Sequence, residues 1–115
     1  MISREAAVGL KARIEQATGQ GAELRLGGDH RGTVFAPTVL ARVPGGAEVW
    51  TEEAFGPVAC VNPYKTFAGA IDLVNQSRYG LQAGVFTASL EEAFEAADRL
   101  EVGGVIINDV PTYRV

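Results

Sequence analysis

The residues of this sequence with the clearest chemical potential are two adjacent carboxylates just ahead of an aromatic ring. Glu52, Glu53 and Phe55 lie in the run Thr51-Glu-Glu-Ala-Phe-Gly-Pro-Val58, whose Gly-Pro pair fixes a corner before a β-branched strand. A carboxylate can accept hydrogen bonds from two hydroxyls of a sugar, and a nearby ring can cover a flat heterocycle. The run therefore indicates the holding of a nucleotide cofactor rather than bond chemistry.

Length, composition and charge exclude several classes of function. A chain of 115 residues is one domain or part of one, and 47% hydrophobic with 21% charged residues argues against disorder. The net charge is −4 and the basic residues are scattered, so no nucleic-acid-binding footprint is expected. No apolar run approaches the ~18 residues of a membrane span, so we expect no membrane partner.

The single cysteine and single histidine limit the redox and metal chemistry of the chain. They exclude an internal disulfide framework and a Cys-based zinc cluster, so no metal site is predicted. The lone thiol fits a reducing compartment, and we expect a cytoplasmic protein. Cys60 lies in an apolar strand pattern, which raises a thiol pKa and predicts an inert packing residue. His30 is expected to be a solvent-exposed loop residue.

Helical and strand-like patterns alternate along the chain. Helices are predicted from a Ser3 cap to about Thr18, from Lys65 or Thr66 to the Asn75–Gly80 cluster, and after a Ser89/Glu92 capping box. Strands are predicted at Ala22–Leu26, Val58–Val61, Ala83–Thr87 and Val105–Ile107. Residues Val34–Val43 are predicted to be extended, and Pro37 indicates an edge or irregular position there. We expect Val58–Val61 to be buried and Val105–Ile107 to be buried on both faces. The alternation predicts a single α/β domain over residues 1–115 with a largely parallel open sheet.

Several further motifs stand in a fixed order around the carboxylate pair. Pro37-Thr38-Val39-Leu40 precedes it, and Asn75-Gln-Ser-Arg-Tyr-Gly-Leu81, Ala83-Gly-Val-Phe-Thr87 and Gly103-Gly-Val-Ile-Ile-Asn108 follow it. With the Glu-Glu-x-Phe-Gly-Pro signature, they resemble the C-terminal part of the catalytic domain of NAD(P)-dependent aldehyde dehydrogenases over nearly the whole chain. The resemblance implies a fragment of that α/β domain and oxidation of an aldehyde to a carboxylic acid with NAD or NADP.

The resemblance also implies roles for individual residues. The second glutamate of the signature, Glu53, would bind the nicotinamide-side ribose, and Phe55 would contact the nicotinamide region. Glu52 has no such role. The segment after the last strand would line the substrate entrance, which here is formed by Asp109, Val110, Pro111 and Thr112.

Other parts of the family pattern have no match in this sequence. The Gly-Gln-x-Cys segment of the nucleophile, the Glu-Leu-Gly-Gly-Lys segment of the general base and the Rossmann cofactor domain are absent. Gly19-Gln-Gly21 follows a helix and so fails the context of a dinucleotide loop. No catalytic residue is therefore assigned, and we expect the isolated chain to be inactive and to bind NAD(P) weakly or not at all.

Two interpretations of the short chain stay open. It is a fragment of an aldehyde dehydrogenase, or a noncatalytic binding or interaction module that retains a piece of the fold. In either case unpaired strand edges predict self-association.

Overall fold

A computed structural model describes residues 1–112. The chain divides into two compact units, Met1–Pro63 and Tyr64–Val115, and each is described by itself. The first unit contains α1 (Arg4–Gly19), β1 (Glu23–Leu26), β2 (His30–Arg31), β3 (Val34–Phe35), β4 (Thr38–Ala41), α2 (Glu48–Thr51) and β5 (Val58–Val61). The second contains α3 (Phe67–Asn75), β6 (Ala83–Val85), α4 (Leu90–Arg99) and β7 (Val105–Ile107).

Helix α1 begins and ends where local sequence signals predict. Its N-terminus is capped by Ser3, whose Oγ accepts a hydrogen bond of 3.1 Å from the Ala6 amide. Its apolar stripe is buried at Ala7, Leu10, Ile14 and Ala17, which recur every three or four residues. This face of α1 forms one side of the core of the first unit.

A three-stranded sheet forms the other side of that core. Its order is β1-β4-β5, with β1 antiparallel and β5 parallel to the central strand β4. Leu40 in β4 is fully buried. The side-chain amide of Asn62 joins the end of β5 to the chain after β4, since it accepts from the Val43 amide at 2.7 Å and donates to the Val43 carbonyl at 2.8 Å.

The extended run Val34–Val43 contains two strands, β3 and β4, and it is interrupted at Pro37, which lacks the amide that a continuous ladder needs. Two local predictions for the first unit were wrong. His30 is not an exposed loop residue: it lies in β2, is partly buried, and its ring stacks on Phe35 with centroids 5.7 Å apart. Strand β5 is only partly buried: among residues 1–112 it pairs with β4 alone, and Val61 is 57% exposed.

The second unit is a parallel strand pair, β6 and β7, with helices α3 and α4. Both helices have the predicted type of cap: Thr66 Oγ1 accepts from the Gly69 amide at 3.1 Å, and Ser89 Oγ accepts from the Glu92 amide at 3.2 Å. The Glu92 carboxylate accepts from the Thr87 hydroxyl. Strand β7 is partly rather than fully buried, since β6 is its only paired neighbour among the described residues.

The predicted α/β fold class is confirmed. Two strand pairs are parallel, β4 with β5 and β6 with β7, whereas β1 with β4 and β2 with β3 are antiparallel, so the strand pairing is mixed. Within residues 1–112, no helix is long and apolar enough to cross a membrane.

Candidate functional site

The signature residues lie in a surface loop between α2 and β5, which we call the signature loop (residues 52–57). Glu53 is exposed, and the Phe55 ring is 86% exposed. The structure thus brings these two predicted cofactor-binding side chains together on one short loop. A ring at this exposure adds little to the core and is accessible to a ligand.

Backbone hydrogen bonds hold this loop in one conformation. The Gly56 amide donates to the Ala54 carbonyl at 2.6 Å, and the Val58 amide donates to the Gly56 carbonyl at 2.8 Å. The Pro57 carbonyl accepts from the Thr38 amide at 2.9 Å, which ties the loop to the first residue of β4. The signature side chains therefore stand on a backbone fixed to the central strand of the sheet.

The glycine of the signature allows the loop to approach α1 closely. A Cβ atom at Gly56 would lie 2.6 Å from Leu10 Cδ2 and 2.9 Å from Met1 Sδ. Both distances are shorter than ordinary van der Waals contact, so a side chain here would have to displace Leu10 and Met1.

Two polar residues of α1 contact the segment around the signature. Arg13 donates from Nη1 to the Glu53 carbonyl at 3.1 Å, and its Nε lies 2.8 Å from Glu48 Oε1. Gln16 Oε1 accepts from the Glu48 amide at 3.1 Å. Sequence reasoning missed Arg13, Gln16 and helix α2, because the contacts join residues 32 and 40 positions apart and α2 lacks a side-chain cap.

The four residues predicted to line the substrate entrance lie in the second unit, directly after β7. All four are exposed. Asp109 Oδ1 accepts from the Val110 amide at 2.7 Å, and the Thr112 amide donates to the Val110 carbonyl at 2.8 Å. A Cβ atom on Gly84 of β6 would lie 3.0 Å from both the Asp109 carbonyl oxygen and Pro111 Cδ. The absence of a side chain at Gly84 therefore lets this segment lie against β6.

The lone thiol has the environment of a packing residue. Cys60 is partly buried beside the core of the first unit, and its Sγ lies 3.9 Å from the Val49 carbonyl oxygen. Burial raises the pKa of the Cys60 thiol, which disfavours the thiolate that nucleophilic attack requires.

The comparison with known families covers the whole chain. The sequence model of the aldehyde dehydrogenase family matches residues 1–115. The chain belongs to the aldehyde dehydrogenase family. Over 115 residues it is 40% identical to the 3-sulfolactaldehyde dehydrogenase of Priestia aryabhattai, a match that covers 100% of this chain and 24% of that protein.

Solved structures of aldehyde dehydrogenases share this backbone. Aldehyde dehydrogenase 21 from Physcomitrella patens, crystallised with the reaction product succinate, matches with a TM-score of 0.95 and 43% identity over 100% of this chain and 24% of its own. Glyceraldehyde-3-phosphate dehydrogenase from Methanocaldococcus jannaschii, complexed with NADP, matches with a TM-score of 0.91 and 33% identity over 100% of this chain and 25% of its own. The chain therefore spans about a quarter of the length of the family members it matches.

Proposed function

We propose that this chain supplies the surface that holds the nicotinamide end of NAD or NADP in an aldehyde dehydrogenase, which oxidises an aldehyde to a carboxylic acid. The single observation that carries this proposal is the signature loop, which presents an exposed carboxylate and an 86% exposed aromatic ring on a backbone fixed to β4. Family membership over the whole chain supports it.

The residues of the loop fit a nicotinamide nucleotide. The Glu53 carboxylate can accept hydrogen bonds from the two hydroxyls of a ribose, and Phe55 offers an apolar face to the flat ring beside it. The cofactor, when bound, supplies the acceptor for the hydride of the substrate. Glu53 and Phe55 act by orienting it, since a misplacement of ~1 Å can cost on the order of 100-fold in rate.

The aldehyde entrance is proposed to include Asp109, Val110, Pro111 and Thr112. These residues are exposed, and two short hydrogen bonds within residues 109–112 give the segment a defined shape. Their carboxylate, hydroxyl and apolar groups offer contacts for a small polar aldehyde.

The nucleophile and base of this chemistry are proposed to lie outside these 115 residues, because the only cysteine is the partly buried Cys60. The chain alone is therefore proposed to be inactive, to bind NAD(P) weakly or not at all, and to self-associate through its strand edges. A cytoplasmic location is part of the same proposal, since a lone thiol suits a reducing compartment.

The test uses a complete enzyme. These 115 residues can replace the matching segment of the Priestia aryabhattai 3-sulfolactaldehyde dehydrogenase, which is 40% identical, and we call the product the exchanged enzyme. Glu53→Gln removes the charge of the ribose ligand and keeps its size. We expect its Kd for the cofactor to rise about tenfold, because a charge-assisted hydrogen bond is worth ~1.4 kcal/mol more than a neutral one.

Glu52→Gln is the matched control, since it removes the same charge one residue earlier. We expect it to leave the cofactor Kd within about twofold, and both variants to keep the melting temperature. If Glu53→Gln left the affinity for both NAD and NADP unchanged, the proposed cofactor role would be wrong. The alternative, a noncatalytic interaction module, would then be favoured.

A further inference from the structure

The side chain of Arg13, on helix α1, contacts both the signature loop and helix α2. We propose that Arg13 is a positioning residue for cofactor binding: it holds the Glu53 peptide so that the Glu53 carboxylate faces the ribose. This inference rests on the proposed function and deepens it.

The guanidinium group of Arg13 contacts both the first residue of α2 and the loop that follows α2. Its Nε lies 2.8 Å from Glu48 Oε1, at the first residue of α2, and its Nη1 donates to the Glu53 carbonyl at 3.1 Å, two residues past the last residue of α2. A planar fork with several fixed donors can hold two acceptors in a set relative direction. Arg13 therefore fixes the signature loop relative to the start of α2.

Helix α2 needs such support because it is a single turn of four residues. The first four amides and last four carbonyls of any helix lack partners within it, so a helix this short does not fix its own ends. Gln16, three residues after Arg13 and on the same face of α1, accepts from the Glu48 amide at 3.1 Å. One face of α1 thus contacts the segment 48–53 at its first residue, through Gln16 and Arg13, and at its last residue, through Arg13.

The contact with the carbonyl determines where the neighbouring side chains point. The Glu53 carbonyl belongs to the peptide plane between Glu53 and Ala54, and its direction sets the backbone on both sides of that plane. The next carbonyl is already fixed by the Gly56 amide at 2.6 Å. Without Arg13, the Glu53 carbonyl would lose this hydrogen bond, so the direction of the peptide plane that carries the Glu53 side chain would be held less firmly.

The charge pair itself contributes little to folding. The side chains of Arg13 and Glu48 are 33% and 46% exposed, and ion pairs this accessible to solvent are weak. Removing Arg13 should therefore affect the geometry of the loop more than the stability of the fold. This difference separates a positioning role from a merely structural one.

The test compares Arg13→Ala, Arg13→Lys and Lys11→Ala in the exchanged enzyme. Lys11 is the matched control because it lies on the same helix, is 35% exposed and pairs with Asp29 at 2.8 Å, away from the signature loop. We expect Arg13→Ala to raise the cofactor KM about five- to tenfold at an unchanged melting temperature. Arg13→Lys should give a smaller rise, since an ammonium group keeps the charge without the fork, and Lys11→Ala should change neither value.

The decisive comparison uses a double variant that combines Arg13→Ala with Glu53→Gln. If Arg13 acts through Glu53, Arg13→Ala should add less than about a twofold rise in KM once Glu53 is already replaced. Two outcomes would overturn the inference about Arg13 and leave the proposed function intact. In the first, the effects of the two substitutions on KM are fully additive. In the second, Glu53→Gln raises KM and Arg13→Ala leaves it unchanged. An effect of neither variant would overturn the proposed function as well, so the two failures are distinguishable.

A second measurement needs no activity. In the isotope-labelled 115-residue chain, Arg13→Ala should shift the carbonyl ¹³C resonance of Glu53 and leave that of Val43, whose carbonyl is held by Asn62. Unshifted resonances around Glu53 would show that Arg13 does not hold this peptide, and would overturn the inference even if the exchanged enzyme were inactive.

Discussion

At the scale of single residues, some residues of the signature are suited to contact a ligand and others determine the geometry of the loop. Glu53 and Phe55 are exposed and suited to contact a cofactor, whereas Gly56 lies too close to Leu10 and Met1 to carry a side chain without displacing them. The backbone carbonyl of Glu53 accepts a hydrogen bond from Arg13, which ties this glutamate of the pair to α1. The local sequence is sufficient to propose Glu53 and Phe55 as ligands, because side-chain chemistry and motif spacing are local properties.

Arg13 could not be predicted in the same way. It lies 40 residues before Glu53, and arginines on the polar face of a helix are ordinary solvent-exposed residues. Only the packing of α1 against α2 brings its guanidinium group to the signature loop. A residue that supports a binding side chain is thus brought to it by tertiary structure, even where the binding residues themselves can be proposed from the local sequence.

The thiol of Cys60 gives a prediction with a definite pH dependence. Burial raises the pKa of Cys60 from its usual value of 9.0, so its folding contribution is present below pH 9 and is lost as the pH rises through the raised pKa. We expect native chain to react with a thiol reagent at pH 8 at least about tenfold more slowly than urea-unfolded chain. Equal native and unfolded rates would show that Cys60 is an accessible, reactive thiol.

At the scale of elements, the helices that were predicted correctly are those whose signals lie within their own sequence. Helices α1, α3 and α4 were predicted because each has a capping hydroxyl and an apolar stripe in its own sequence. Helix α2 was missed because Ala47, at its N-cap, makes no side-chain cap and its amide support comes from Gln16. The burial of β5 was overestimated because a strand pattern gives no information on how many neighbours the strand has.

Two turns of the first unit offer a matched pair of glycine substitutions, since Gly27 follows β1 and Gly32 lies between β2 and β3. Gly27 and Gly32 both have positive φ, at 70° and 62°, but a Cβ at Gly27 would lie 2.2 Å from the Pro37 carbonyl oxygen, whereas nothing lies within 4 Å of one at Gly32. Gly32→Ala should cost ~1 kcal/mol for the left-handed backbone. Gly27→Ala should cost ~3 kcal/mol, because the clash with backbone cannot be relieved by a rotamer change.

Urea unfolding measures both changes through the fluorescence of Trp50, the only tryptophan, which packs on the core of the first unit. If the two variants lost the same stability, the close approach of Gly27 to Pro37 would not exist in solution.

At the scale of the whole molecule, large apolar side chains are exposed in both compact units. In α4, Leu90 is 72% and Phe94 68% exposed, and they lie one turn apart on the same face. Exposed apolar side chains of this size favour association in water. The sequence predicts the helix that carries them, but periodicity does not reveal which partner, if any, covers its apolar face.

The isolated 115-residue chain should therefore self-associate through this face of α4 as well as through its strand edges, and it should lack activity because its only cysteine is the partly buried Cys60. In sedimentation velocity we expect the mean mass to rise with concentration, and Leu90→Ser with Phe94→Ser to reduce this rise. Glu91→Ser, between them and already polar, is the control and should not reduce it. A chain that stayed monomeric over a wide concentration range, or that reduced NAD(P) with a simple aldehyde, would contradict this prediction.

The central claim is that Glu53 and Phe55 hold the nicotinamide end of the cofactor, and a crystal structure of the exchanged enzyme with NAD or NADP tests it most directly. We expect the Glu53 carboxylate oxygens to lie about 2.5–3.0 Å from the hydroxyls of the nicotinamide-side ribose, with the Phe55 ring in contact with the nicotinamide region. A bound cofactor whose nicotinamide-side ribose is held by other residues, with Glu53 in solvent, would contradict the account.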